Sequence, residues 1–384
     1  VSEARNVARP APEGADILAA AGAAPDPRAA PAAGRVSGGG TMTMPLSPLD
    51  ARRGPHRPSA GSPARAPGSV RRTTTIDLLR PAGLLGPLTL VGLGRDLRTS
   101  ETGVETVSEA RVDADIEYMN GRALRDLTTT PPRPALSSLR GNRVASGFRT
   151  LALDADPNLP DEADLLYQLV DDLPGATLVS GHACVAESEQ TPLNVVEGSG
   201  YQYVADLCAG WVTGGSIMIE VGASGRPPIV KGPAAPTLAD ATDPWSWHQI
   251  DVLPVHGVRR ARRIDVVLDR SAGIIDVDSI FRDSYMRPDG TETVIHEYTV
   301  TARADAATGV VTACQAEARV LPWLECPGAV ASAGRIVGMP WTELRGYVRA
   351  ALTGTSTCTH LNDALRSLAS VPQLLAHLDP SHPD

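Results

Sequence analysis

The chain has 384 residues, of which 42% are hydrophobic but only 4% aromatic, so its length allows a substantial core built mainly from aliphatic side chains and alanine. A formal charge of -9 argues against a nucleic-acid groove. No run of about 18 apolar residues is present to span a membrane. No basic stretch followed by an apolar core marks a secretory signal, and five irregularly spaced cysteines suit a reducing cytoplasm.

Residues 1 to 69 are rich in Ala, Pro, Gly and Arg with no period that would bury a face, and are expected to be disordered. Met42 and Met44 are alternative translation starts, which would make the segment an over-extended one; an arginine-rich transit peptide is the other reading, against which Glu3, Glu13, Asp16 and Asp26 count. A single domain is expected over residues 70–380. Residues 73–79 and 88–97 read as a hairpin around Pro81-Ala82-Gly83, and residues 112–118 as a further strand. Residues 128–134 read as a proline-broken loop and 148–153 as a strand. Residues 161–173 read as a short helix burying Leu165, Leu166, Leu169 and Val170, with a stop at Pro174-Gly175, and 177–184 again as a strand. Asp171-Asp172 and the pair His182 and Cys184 are possible metal chelates; a solvated helix end and core packing are the commoner settings for such pairs. The run from Asp206 to Trp211, with Gly214-Gly215, reads as a strand, a tight turn and an indole packed over glycine, or as a substrate-lining loop. No G-x-G-x-x-G, P-loop or G-x-S-x-G pattern is present.

Residues 231–243 form a Pro/Ala-rich connector ending at Trp245-Ser246-Trp247-His248, which reads either as an apolar pocket wall with His248 as acid or base, or as a structural cap. In Arg259-Arg260-Ala261-Arg262-Arg263, the functional reading is a clamp for a substrate carboxylate or phosphate. The alternative is salt bridging to Asp265, Asp276, Asp278 and Asp283. Phe281-Arg282-Asp283-Ser284 reads as a buried Arg-Asp network that fixes a turn. Residues 293–304 alternate, with Val294, His296, Tyr298 and Val300 on one face and Glu297, Thr299, Thr301 and Arg303 on the other. The turn 305–309 returns the chain into 310–320, where Val310, Thr312, Cys314, Ala316 and Ala318 share a face. His296 is then either a hydrogen-bonded core histidine or a group lining a cavity beneath the sheet. Three helices follow: one opened by Cys326-Pro327 and ended by Gly338 and Pro340, one over 341–352, and one starting near Thr359 just after Cys358. Cysteines at helix starts are placed to be thiolates. With His360 two residues past Cys358, the expected metal ligands are Cys326, Cys358 and His360, with His296 or Asp363 as further donors and zinc or iron as the metal; a reactive thiol without metal and buried structural cysteines are the alternatives. No internal repeat is read.

Several of these motifs together resemble the family known as domain of unknown function 2889: Arg71-Arg72-Thr73-Thr74-Thr75-Ile76-Asp77, Phe281-Arg282-Asp283-Ser284, His296-Glu297-Tyr298, Glu325-Cys326-Pro327 and Cys358-Thr359-His360-Leu361. The resemblance extends from about Pro45 onward and implies no assigned reaction. A weaker similarity is to iron-sulfur scaffold and sulfur-transfer proteins, from which the chain departs by lacking a clear third cysteine ligand.

Strands come first and helices last, so the expected fold is α+β: a twisted antiparallel sheet closed by a C-terminal hairpin and covered by about three C-terminal helices. The expected function is that of a cytoplasmic enzyme acting on a small carboxylate- or thioester-bearing molecule. Its catalytic residues would be His296, Cys326, Cys358, His360 and His248, and its substrate would be held by Trp211, Trp245, Trp247, Arg259, Arg260, Arg262 and Arg263. The alternative is a noncatalytic sulfur or iron-sulfur handling module using the same cysteines.

Overall fold

The computed structural model describes residues 53–187, 203–225, 227–228 and 230–378, so the expected tail is outside the described residues up to position 52. Among these residues eight strands form: β1 (Ser69–Leu79), β2 (Leu88–Ser100), β3 (Gly103–Glu117), β4 (Ala123–Thr130), β5 (Val258–Asp269), β6 (Ile274–Met286), β7 (Glu292–Asp305) and β8 (Val311–Val320). β3 buries alternate residues over its second half, whereas β1 and β5 at the centre of the sheet are buried on both faces over most of their length. They form one antiparallel sheet in the order β4-β3-β2-β1-β5-β6-β7-β8, two four-stranded meanders joined edge to edge. The fold is α+β, as the succession of strands and helices predicts.

The two meanders are copies of one plan. Val70-Arg71-Arg72 and Ile76-Asp77 in β1 recur as Val258-Arg259-Arg260 and Ile264-Asp265 in β5. Where the strands pair, Arg71 stands opposite Asp265 and Asp77 opposite Arg259, so the two motifs exchange ion pairs across a local two-fold. The Arg71 side chain donates to Asp265 at 2.5 and 2.9 Å, and Arg259 donates to Asp77 at 2.6 Å through each of two nitrogens. On the other face, Arg72 donates bidentately to Asp96 at 2.7 and 2.6 Å, and Arg260 to Asp283 at 2.9 and 3.1 Å. Each aspartate is followed by a register shift, at Asp96/Leu97 and at Asp283/Ser284. The chain therefore contains an internal repeat that alternation of hydrophobicity alone does not reveal. The signal was present in the repeated Val-Arg-Arg, Ile-Asp and Arg-Asp steps.

Adjacent strand residues point to opposite faces, and the neighbours of Arg71 and Arg72 show what covers each. Arg72 reaches Asp164, the first residue of a helix, and Arg71 reaches the carbonyls of Pro63 and Ser246. One face thus carries helices, introduced in chain order as α1 (Phe148–Ala155), α2 (Leu159–Glu162), α3 (Asp164–Val179), α4 (Gly181–Glu187), α5 (Ser216–Ser224), α6 (Leu344–Ala351), α7 (Thr359–Ser367) and α8 (Val371–Ala376). The other face is crossed by extended chain. Residues 53–69, within the expected tail, run against the sheet: Arg57 N donates to Arg319 O at 2.8 Å, Gly61 N to Thr237 O at 2.8 Å and Ser59 N to Glu297 Oε1 at 2.6 Å. These contacts explain why Glu297, placed on the solvent side by alternation, is fully buried with Arg282 as its partner at 2.6 Å.

Local readings fail where packing overrides pattern. Residues 148–153 are helical, burying Phe148 and Ala152 one turn apart. Residues 177–184 are helical too, because α3 continues through Pro174-Gly175 and α4 follows. Gly175 is a packing residue and no stop: a Cβ there would lie 2.5 Å from Arg260 Nη1 and 2.9 Å from Asp363 Oδ2. Residues 123–130 add the edge strand β4, and Phe281-Arg282-Asp283-Ser284 lies inside β6, forming the expected Arg-Asp network but no turn. In the last hairpin a bulge at Arg303/Ala304 buries Val311 in place of Val310. The run 206–215 holds a single 3-10 turn, Ala209–Trp211, ahead of α5, where a strand was expected. The three C-terminal helical stretches occur where predicted, the first as 3-10 turns over Cys326–Ile336.

Candidate active site

Under the helices two hydrophobic clusters, one for each meander, flank a buried layer of ion pairs. Arg260, 1% exposed, donates to Asp283 and, at 3.0 Å, to Asp363 of α7; Arg262 donates to Asp172 of α3 at 2.6 and 2.7 Å; Arg366 joins Asp171 and Asp363. Asp171 and Asp172 are thus buried partners of arginine, and the solvated helix end expected as their commoner setting is not found. The remaining arginines of the run are equally engaged, Arg259 with Asp77 and Arg263 with Asp278 and Asp265. The substrate clamp expected of Arg259, Arg260, Arg262 and Arg263 is not formed, because guanidinium forks positioned on strands find the protein's own carboxylates in bidentate reach.

One imidazole cluster grows out of this layer. His296 stands opposite Asp283 across the β6/β7 pair, and His360 comes from the first turn of α7. The two rings stack with centroids 3.7 Å apart at 21°. His296 Nδ1 lies 3.4 Å and His360 Nε2 3.8 Å from the same oxygen, Oδ2 of Asp283, which is wholly buried. Burial pushes the His360 pKa down to about 3, and the neighbouring His296 adds to the effect, so this ring is neutral at physiological pH. Burial alone would raise the Asp283 carboxyl, but the Arg260 charge and His296 beside it hold it well below the usual carboxylate range. The second meander has histidine at the position where the first has Ser108, opposite Asp96. The Arg-Asp pair is therefore common to both copies of the plan, while the strand-borne histidine and the stacked pair belong to one; near Asp96 a single ring, His377, places Nε2 3.7 Å from Oδ2.

His296 and His360 line a cavity of about 250 Å³, whose wall is mainly apolar: Leu178, Val179, Trp211, Ile217, Leu321 and Trp323. Trp211 is where the sequence predicts a pocket residue, and it stacks on Tyr203 with centroids 5.8 Å apart at 14°. His182, from α4, lies on the same wall, its pKa pushed down to about 4 by burial and by His296. Arg122 is the one arginine among the described lining residues.

Cys326 and Cys358 also reach this wall, together with Cys208, which the sequence reading did not single out as a ligand. Its loop is pressed on Cys326, since a Cβ at Gly210 would lie 2.8 Å from Cys326 Sγ. Helix-start placement does not make these thiols thiolates. Burial raises Cys326 well above its ordinary value and Cys358 to about 11, outweighing what the first-turn amides contribute. Cys358 Sγ stands 3.8 Å from His360 Nδ1. Yet Cys326, Cys358 and His360 do not converge as one donor set. Among the described residues the group whose donor atoms all fall within 4.8 Å of one another is Asp283, His296 and His360. The sequence points to both histidines as site residues but to Asp283 only as a partner of arginine.

The tryptophan-histidine run lies elsewhere. Trp247 packs with Leu238, Ala261 and Ile280 on the face covered by extended chain, and Trp245, 44% exposed, sits beside the Arg95 guanidinium. His248 bridges Thr73 Oγ1 at 2.8 Å and Thr75 Oγ1 at 2.9 Å, and burial, with Arg95 and Arg259 nearby, pushes its pKa down to about 3. It is the structural cap of the two readings, and none of the three is among the described residues lining the cavity.

No helix of the described residues is long and apolar enough to cross a membrane. Comparisons with curated proteins and with solved structures give no match. A family model does match, over residues 258–373, which span β5 to α8 and carry His296, Cys326, Cys358 and His360; the wider resemblance expected from Pro45 is not covered by it. In that stretch the chain resembles the family described as Protein of unknown function (DUF2889).

Proposed function

We propose that the protein is a cytoplasmic enzyme that binds a small molecule with an apolar body and a carboxylate or thioester end, and that this polar end meets the Asp283, His296 and His360 group. The observation that carries the reading is a largely apolar cavity ending on two stacked imidazoles over a buried carboxylate. Apolar concavities with a few convergent polar groups are where small molecules bind, and strongly shifted titratable groups mark where chemistry is done. Structure alone does not require a stacked histidine pair, because the first meander builds the same Arg-Asp pair with Ser108 in the corresponding place and a single imidazole, His377, nearby. All five cysteines are unpaired thiols, which supports a reducing compartment.

The test is a ligand screen by saturation-transfer NMR with short-chain and aromatic carboxylates and their thioesters, run beside Leu178→Trp. Leu178 is 38% exposed on the cavity wall, so an indole there fills the cavity without opening the core. Binding of a panel member that the substitution weakens at least tenfold is expected, followed by turnover detected by mass spectrometry. Absence of binding across the panel, or binding indifferent to Leu178→Trp, refutes the reading. The gathering of Cys208, Cys326 and Cys358 on one wall favours a second reading, sulfur or iron-sulfur handling. Iron with labile sulfide in anaerobically purified protein would establish it in place of the first.

A further inference from the structure

We propose that Asp283, His296 and His360 bind one divalent first-row transition ion, zinc or ferrous iron, at the cavity wall formed by the two imidazoles. The proposal deepens the enzyme reading and shares its cavity, with the ion as the group that meets the substrate's polar end.

The argument begins with an unmet need. His296 Nδ1 is buried and makes no hydrogen bond, although a carboxylate oxygen lies 3.4 Å away. His360 Nε2 is 3.8 Å from that same oxygen. Both separations exceed a good hydrogen bond, and a buried nitrogen left in that state calls for a partner. Donors that share one cation at about 2.0–2.2 Å stand roughly 3–3.6 Å apart. The two nitrogen-to-oxygen spacings here, 3.4 and 3.8 Å, come within a few tenths of an ångström of that range, and all three donor atoms lie within 4.8 Å of one another. A cation between them would give both nitrogens and the carboxylate oxygen a shared partner. Two nitrogen donors and one oxygen donor suit zinc or ferrous iron, whereas magnesium and calcium take oxygen ligands.

The surroundings are built for this set. Arg260 grips both oxygens of Asp283 from one side, at 2.9 and 3.1 Å, and a carboxylate retains lone pairs for a further partner. Such a grip orients the ligand oxygen and limits its motion. His296 and His360, 15% and 17% exposed, face the cavity, while Asp283 beneath them is 0% exposed. Three protein donors leave coordination positions open toward the cavity, where a carboxylate or carbonyl oxygen of the substrate can enter and be polarised. The first meander again serves as the internal control. Asp96 is gripped by Arg72 in the same way, but across from it stands Ser108, and among the described residues one imidazole approaches it, His377, with Nε2 3.7 Å away.

The experiment is titration of the full chain, stripped by chelator, with Co2+, followed by visible absorbance and by the thermal unfolding midpoint, for wild type, His296→Ala and His360→Ala. One equivalent of Co2+ per chain with d-d bands and a raised midpoint is expected for wild type, with at least a tenfold loss of affinity in each variant. No stoichiometric binding, or binding unchanged in both variants, overturns the proposal. Should the variants fail to fold, pulsed electron paramagnetic resonance of the Cu2+-loaded wild type counts bound imidazoles: two support the site, and fewer overturn it. The ligand screen is run on the stripped protein as well. Ligand binding without metal binding leaves the enzyme reading standing and removes the ion, and metal binding without any ligand does the reverse.

Discussion

Arg260→Met is the substitution that most directly tests the charged layer beneath the helices. Arg260 is 1% exposed and stands among Asp283, Asp363 and Asp172, the last at 3.4 Å. Methionine fills much of the same volume but leaves Asp283 without its bidentate partner, and Asp363 and Asp172 each without one of their cations. Removing one member of a buried ion pair costs about 3–5 kcal/mol, because the remaining charge stays desolvated. Arg366 still serves Asp363 and Arg262 still serves Asp172, so the loss is concentrated at Asp283 and the expected cost is about 3–4 kcal/mol. Urea denaturation followed by circular dichroism should show a lower midpoint with an unchanged m-value. Arg303→Met provides the internal reference: its pair with Asp276 is about half exposed on both sides, and such pairs are worth ~0–1 kcal/mol. A double variant, Arg260→Met with Asp283→Leu, should recover part of the loss, since the orphaned charge is gone. If Arg260→Met costs no more than Arg303→Met, the layer is not what holds the two meanders to their helices.

His248→Gln keeps an amide in reach of Thr73 and Thr75 while removing a titratable ring whose pKa is 6.5 when free and about 3 when folded. A base with a depressed folded pKa contributes stability that is complete above pH 6.5 and is lost as the pH falls toward 3, at about 1.4 kcal/mol per pH unit. The variant should therefore show a shallower fall in unfolding free energy between pH 6.5 and 4.5, with cavity ligand binding unchanged; identical slopes would refute the assignment. Gly175→Ala should lower the unfolding midpoint by the equivalent of about 1–3 kcal/mol, because its Cβ meets Arg260 Nη1 at 2.5 Å, whereas Gly222→Ala in α5, with nothing within 4 Å, should be neutral or stabilising. Equal midpoints for the two variants would mean that α3 does not pack so closely on Arg260.

Much of the strand content was legible from periodicity, because half-buried strands such as β2 and β7 must alternate to bury one face. The helix α1 and the second half of α3 were not, since short apolar runs read alike in either state until something is packed on them. The repeat was written in the chain as Val-Arg-Arg, Ile-Asp and Arg-Asp, but charged residues in a strand read as a solvated face unless their partners are known. Cysteines at helix starts pointed to thiolates, and burial decided otherwise.

Taken alone, the order of residues determines the class of the fold, the hairpin that carries His296 and the helix start that carries Cys358 and His360, because each depends on interactions within a few residues. Tertiary structure alone decided that Asp283, from β6, joins His296 and His360 while Cys326 does not. It decided as well that Arg259 to Arg263 bind the protein's own carboxylates, and that His248 is a cap remote from the cavity. These outcomes depend on which side chains meet across strands and layers, where distances of an ångström separate a ligand from a neighbour, and no local pattern encodes them.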